Sequence, residues 1–183
     1  YDSKNDKILY EKYIPKLKAL NLINICEENS INYSVYTNKT IVASSLKYNV
    51  LYYYNSNFKK SSDKKTSITL VDSIYNYVQF MQDDEKIMKI FICDETESVF
   101  KSIIKKMCDI PNVEVLDVSH MSRKMITNGT EEIPLEYYYT EVTEIDVDKW
   151  VALNFLIGSI GIDKSEVITI GDNANDIKMI ENA

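Results

Sequence analysis

Apolar and polar residues follow two periods along the chain, and the change from one to the other marks its elements. Ile87 to Cys93 (IMKIFIC) is a nearly unbroken apolar run, as a buried strand requires. Glu95 to Asp109 places Val99, Ile103, Ile104 and Met107 at helical spacing, and Val113 to Val118 returns to a strand. This is a βαβ unit, whose crossover is right-handed if its strands are parallel. Further upstream, residues 1–14 read as a hairpin, with a turn SKND before the strand-like KILYEKYI. Pro15 opens a helix through Leu17, Leu20, Leu22 and Ile23 to Cys26. INYSVYT and TIVAS form a second hairpin around Asn38-Lys39, with Tyr33 and Val35 on one face and Tyr36 on the other.

Between these segments, NVLYYYNSNF reads as a strand and KKSSDKKTS as a loop, and Leu70 to Phe80 carries a helix through Val71, Ile74, Tyr75 and Val78. SHMSRKMITNGTEEIP is polar and loop-like, turning at Asn128-Gly129. YYYTEVTEI is a strand with Tyr138, Thr140 and Val142 on one face and Tyr137 and Tyr139 on the other, where core packing and pocket lining are both open. A helix then runs from Trp150 or Val151 to Ile160, with Gly161 as its C-terminal cap. Val167 to Ile170 (VITI) has the character of a buried strand, and Ile177, Met179 and Ile180 suit a last helix.

Charge and composition narrow the function classes. A net charge of −7 and only one arginine, Arg123, argue against a nucleic-acid surface, which needs clustered cations. Lys59-Lys60 and Lys64-Lys65 fall in a Ser-rich segment and read as solvated. At 45% hydrophobic and 27% charged residues the chain is globular, with no apolar run long enough to span a bilayer, so a cytoplasmic location without membrane partners is expected. Cys26, Cys93 and Cys108 are far apart and form no CxxC, which indicates neither a disulfide framework nor a zinc site. The lone His120 has no local catalytic partner and reads as a surface residue.

The chemistry concentrates in VITIGDNANDIKMIENA, residues 167–183. Gly171 breaks the strand, and Asp172, Asn173, Asn175 and Asp176 follow where a ligand reaches the carboxyl end of a parallel strand. Oxygen-only side chains suit a hard cation such as Mg²⁺. The same residues also serve as turn formers and helix caps that need no metal. Lys149 stands at a helix N-terminus, where the macrodipole disfavours a cation, and either an anionic neighbour or exposure to water would compensate it.

Lys149, the helix after it, Gly161-Ile162 and above all GDNANDIKMIENA resemble the third and fourth motifs of the haloacid dehalogenase superfamily, in its Cof-type sugar-phosphatase branch. The region before them is similar in size and element order to that branch's α/β cap. The resemblance implies an α/β fold: an α+β cap domain plus an incomplete Rossmann-like core. Residues 1–13 form a core-to-cap hairpin, 14–139 the cap, and 140–183 the carboxyl-terminal part of the core.

It further implies a Mg²⁺-dependent phosphatase acting on a small phosphorylated metabolite such as a sugar phosphate. Asp172 ligates the metal, Asp176 supports it from behind, Asn175 and Lys149 bind the phosphoryl group, and Lys149 serves catalysis. The superfamily's nucleophile motif, DxDGT, does not occur in this chain, so the chain is expected to be a piece that is inactive alone. A binding module keeping a remnant of the fold is the alternative. Trp150 takes the place of the branch's usual Gly, which narrows the expected pocket. The neighbours that VITI needs are also not evident in the sequence, so the last forty or so residues are expected to be less stable than the rest.

Overall fold

The computed structural model describes residues 2–116 and 121–183 and divides into two compact units, Tyr13–Thr143 and the pair Tyr1–Lys12 with Glu144–Ala183. The predicted strand end at Val118 lies outside the described residues.

The larger unit is a seven-stranded mixed sheet with helices on both faces. Its strands are β1 (Asn32–Thr37), β2 (Ile41–Ala43), β3 (Ile68–Leu70), β4 (Ile87–Asp94), β5 (Val113–Val115), β6 (Ser122–Asn128) and β7 (Glu131–Glu144). They lie in the order β3-β2-β1-β4-β7-β5, with β6 paired to the first half of β7. β1 is antiparallel to both β2 and β4, and β2 is parallel to β3. Alternation sends Val35, Val42, Ile90, Ile92 and Val142 to one face, where α1 (Lys16–Glu28), α3 (Ile74–Phe80) and α4 (Glu97–Cys108) cover them with Leu22, Ile23, Ile74, Val78, Ile103 and Met107. This is the main core. On the other face α2 (Tyr48–Ser56) packs Val50 and Tyr53 over Ile41 and Ala43. Beside it, Phe91 stacks on Tyr139 at 5.1 Å between centroids.

Three expectations give way here. NVLYYYNSNF is helix α2, not a strand: Tyr is β-prone, but Val50 and Tyr53 lie one helical turn apart and bury together against the sheet, and packing overrides so weak a preference. The polar stretch 121–134 is no loop but most of the β6–β7 hairpin, turning at Gly129 with φ +64°. β6 and residues 131–136 of β7 bury no side chain and are held by the ladder, by Arg123 with Glu136, and by Asn55, whose amide donates to the Thr127 carbonyl and accepts from its N–H. KILYEKYI forms no strand, only isolated bridges at Lys7 and Ile14.

The smaller unit contains α5 (Lys149–Ile160) and α6 (Ile177–Asn182). Caps do much of the work. The Asp148 carboxylate accepts from the Val151 N–H at 2.8 Å, and Gly161 closes α5 in the left-handed conformation at φ +73°. Asp163 and Glu166 form a capping box, and Lys164 lies 4.8 Å from the Trp150 ring centroid. Trp150 is thus engaged by Lys164.

VITI is the main correction. It forms no ladder: Ile168 and Ile170 are 91% and 89% exposed, and the segment is held by the Val167 N–H donating to the Lys164 carbonyl and the Thr169 hydroxyl donating to the Met179 carbonyl, each at 3.0 Å. An apolar strand needs neighbours on both edges, and no described residue pairs with it. Phe155, Leu156, Ile160, Ile177 and Ile180 are exposed as well. Amide hydrogen exchange in Val167–Ile170 is therefore expected to run at least about a hundredfold faster than in Ile90–Cys93, and equal protection would contradict this account of the smaller unit.

Candidate functional site

The turn after Ile170 is closed by one side chain. Asp176 ends a short 3-10 turn, Ala174–Asp176, and its backbone N–H donates to the Asn173 carbonyl at 2.9 Å. Its side chain does not cap α6. One carboxylate oxygen accepts from the N–H groups of Asp172 and Asn173, each at 3.3 Å, and the other meets the Lys149 ammonium at 2.5 Å. Asp176 is buried at 4% exposure, while Lys149 is half exposed. The capping alternative therefore fails for this residue: its carboxylate points back into the turn and across to α5.

Space beside Gly171 makes this possible. A Cβ built there would lie 2.2 Å from the Asp176 Cβ, so only glycine admits the carboxylate. The requirement is one of room, because Gly171 is not among the glycines with positive φ.

Lys149 begins α5 against the helix dipole, and Asp176 is the anionic neighbour that compensates it. The Asn175 side-chain oxygen lies 3.5 Å from the same ammonium. The Lys149 contact holds the Asp176 carboxyl below its ordinary value of 3.8, with the amides of Asp172 and Asn173 adding to the effect. Two further residues brace the site. Asp148 caps α5 with one oxygen and with the other meets the Lys178 ammonium of α6 at 3.1 Å. Asp148 was legible as an acid just before a helix, but nothing in the sequence pairs it with Lys178.

Asp172 differs from Asp176. It is exposed, and its carboxylate makes no hydrogen bond or ion pair to another described residue, so it is free to take a cation. Its oxygens, with the Asn175 amide nearby, fit a hard ion such as Mg²⁺. Among the described residues no group of three or more His, Cys, Asp or Glu could hold a metal. The structure thus joins Lys149, Asn175 and Asp176 in one network and leaves the Asp172 carboxylate free beside it. His120 lies outside the described residues.

The sequence profile of the haloacid dehalogenase-like hydrolases matches residues 2–183. YxeH of Bacillus subtilis, whose phosphatase assignment is itself provisional, is 26% identical over 179 residues, covering 90% of this chain and 65% of its own length. A Bacillus subtilis haloacid dehalogenase-like hydrolase superposes with a TM-score of 0.68 at 16% identity, over 95% of this chain and 60% of its own. A sugar phosphatase of subclass IIB superposes at 0.63 and 15% identity, over 98% and 56%. The chain thus spans less than two thirds of the length of these relatives.

Two outcomes follow from the geometry. Gly171→Ala should expel the Asp176 side chain and break its contact with Lys149, displacing the amide resonances of Asp172 and Asn173; an unchanged spectrum would contradict the steric argument. Because the folded Asp176 carboxyl is depressed, its contribution to stability is complete above its unfolded value near 3.8 and is lost as pH falls through the lower folded value. Those two amides should then titrate together below pH 3.8, and Lys149→Met should move that transition upward.

Proposed function

Because the chain belongs to the haloacid dehalogenase-like hydrolases, we propose that it is the cap and carboxyl-terminal core portion of a Mg²⁺-dependent phosphatase of the Cof type, acting on a small phosphorylated metabolite such as a sugar phosphate. The observation that supports this most is the division of labour between the two aspartates. Asp176 is spent on holding Lys149 and the turn, while Asp172 remains free.

In this reading the Lys149 ammonium faces the phosphoryl oxygens and offsets charge that builds up during transfer. Asp176 keeps that ammonium in place and limits its motion. Asn175, within reach of the same ammonium, offers its amide N–H to a phosphoryl oxygen or to the attacking carboxylate. Asp172 would hold Mg²⁺, which would supply charge neutralisation at the phosphate. In the family the attacking carboxylate belongs to a DxDGT motif, which these 183 residues do not contain. The larger unit acts as the cap that selects the substrate.

The test is phosphate release by the natural full-length protein from aryl and sugar phosphates. Lys149→Ala and Asp172→Ala should each lower kcat/KM by roughly 10²–10³, chelation should abolish turnover and Mg²⁺ should restore it. The 183-residue chain alone should release none. Full activity in Asp172→Ala, or turnover indifferent to chelation, would overturn the assignment.

A further inference from the structure

The sheet of the larger unit has a switch point of its own, unrelated to the Asp172 turn. After β2 the chain leaves through α2, on one face, toward the β3 edge. After β4 it leaves through α4, on the opposite face, toward the β5 edge. β2 and β4 point the same way, since both are antiparallel to the β1 that separates them. Where two parallel strands send their connections in opposite directions, a crevice opens at their carboxyl ends, and open α/β sheets bind ligands there. The crevice is present: a cavity of about 440 Å³ is lined by Ser44 and Ser45 after β2, Asp94 at the end of β4, and Asn32 at the start of β1. Its size suits a small metabolite.

The rest of the lining gives the cavity its chemistry. Lys47 and Tyr48 contribute from the start of α2, and Asp72 from the loop after β3. Ser30 and Tyr48, both lining residues, hold positive φ, at +53° and +47°. Backbone held in that region gathers at ligand sites. Charges of both signs meet here without pairing: neither the Asp72 carboxylate nor the Lys47 ammonium bonds to another described residue. Asp94 uses one oxygen on the Thr96 N–H at 2.7 Å, and Glu27 accepts from the Tyr33 hydroxyl. Carboxylates outnumber ammonium groups, so a free anion is disfavoured and a cationic or zwitterionic ligand is favoured. The cavity also lies at the end of β4 opposite Ile87, which bridges Ile14 where the chain enters this unit, roughly 23 Å away at about 3.3 Å per residue.

We propose that this cavity binds a small ammonium-bearing metabolite, its ammonium against Asp72 and Asp94 and its oxygens against Ser44, Ser45 and Lys47. Both an amino acid and an amino sugar present that chemistry. The test titrates the ¹⁵N-labelled 183-residue chain separately with L-serine, glucosamine and glucose, following the amides of Ser44, Ser45, Asp72 and Asp94. At least one ammonium compound should give saturable shifts confined to these amides with a millimolar or tighter Kd, and whichever of the two binds more tightly names the source. Glucose should bind at least about tenfold more weakly, and Asp72→Asn with Asp94→Asn should cost at least about tenfold. Unshifted β4 amides in the variant, and the single exposed Asp72→Asn variant, control for folding. Absence of saturable shifts with both ammonium compounds, glucose binding equally well, or unchanged binding by the double variant would each overturn the proposal.

Discussion

A single carboxylate gives the smaller unit its working shape. Asp176 reaches back over the turn it terminates, accepts two of that turn's amides and meets the Lys149 ammonium at the start of α5. Each partner solves a problem for another. The cation is placed where the helix dipole repels it, the carboxylate is buried, and the turn amides are left over where the segment leaves Ile170. Pairing answers all three at once, which is how a buried charge is tolerated. The arrangement depends on Gly171, because any side chain there would occupy the carboxylate's place. Asp148 and Lys178 add a second tie between the same two helices.

The two units are held by different physics. The larger has a core of side chains from six of its strands and four helices, divided between two faces of one sheet, so its elements persist through burial. The smaller relies on caps and polar contacts, with Ile157 and Asp176 among its few buried side chains. Its apolar residues are left facing outward, as in Ile168 and Ile170. A polar network can fix a turn without a core beneath it, which is why the site is formed although its strand is unpaired.

That contrast explains what the sequence disclosed. Periodicity located α1, α4, β1 and β4 because each buries one face in the core of the larger unit, and α5 because Gly161 ends it. It failed for Tyr52 to Tyr54, whose conformation follows from what Val50 and Tyr53 pack against, and for the turn end of the β6–β7 hairpin, where β6 and residues 131–136 bury no side chain. It also misjudged VITI, since apolar composition states that a segment would be stable if paired but not that a partner is present. The candidate site was legible as GDNAND with an upstream Lys. The pairing of Asp176 with Lys149, the steric demand at Gly171 and the crevice between β2 and β4 were not, because each depends on residues far apart in the chain.

Asp172 is the carboxylate proposed to bind the metal, and Asp176 braces the turn beside it. Paramagnetic broadening by Mn²⁺, substituted for Mg²⁺ in the natural full-length protein, reads this directly. The amides of Gly171, Asp172 and Asn173 should broaden first, and Asp172→Ala should abolish the effect while the contact between Asp176 and Lys149 survives. Broadening centred elsewhere, or undiminished in Asp172→Ala, would contradict the account.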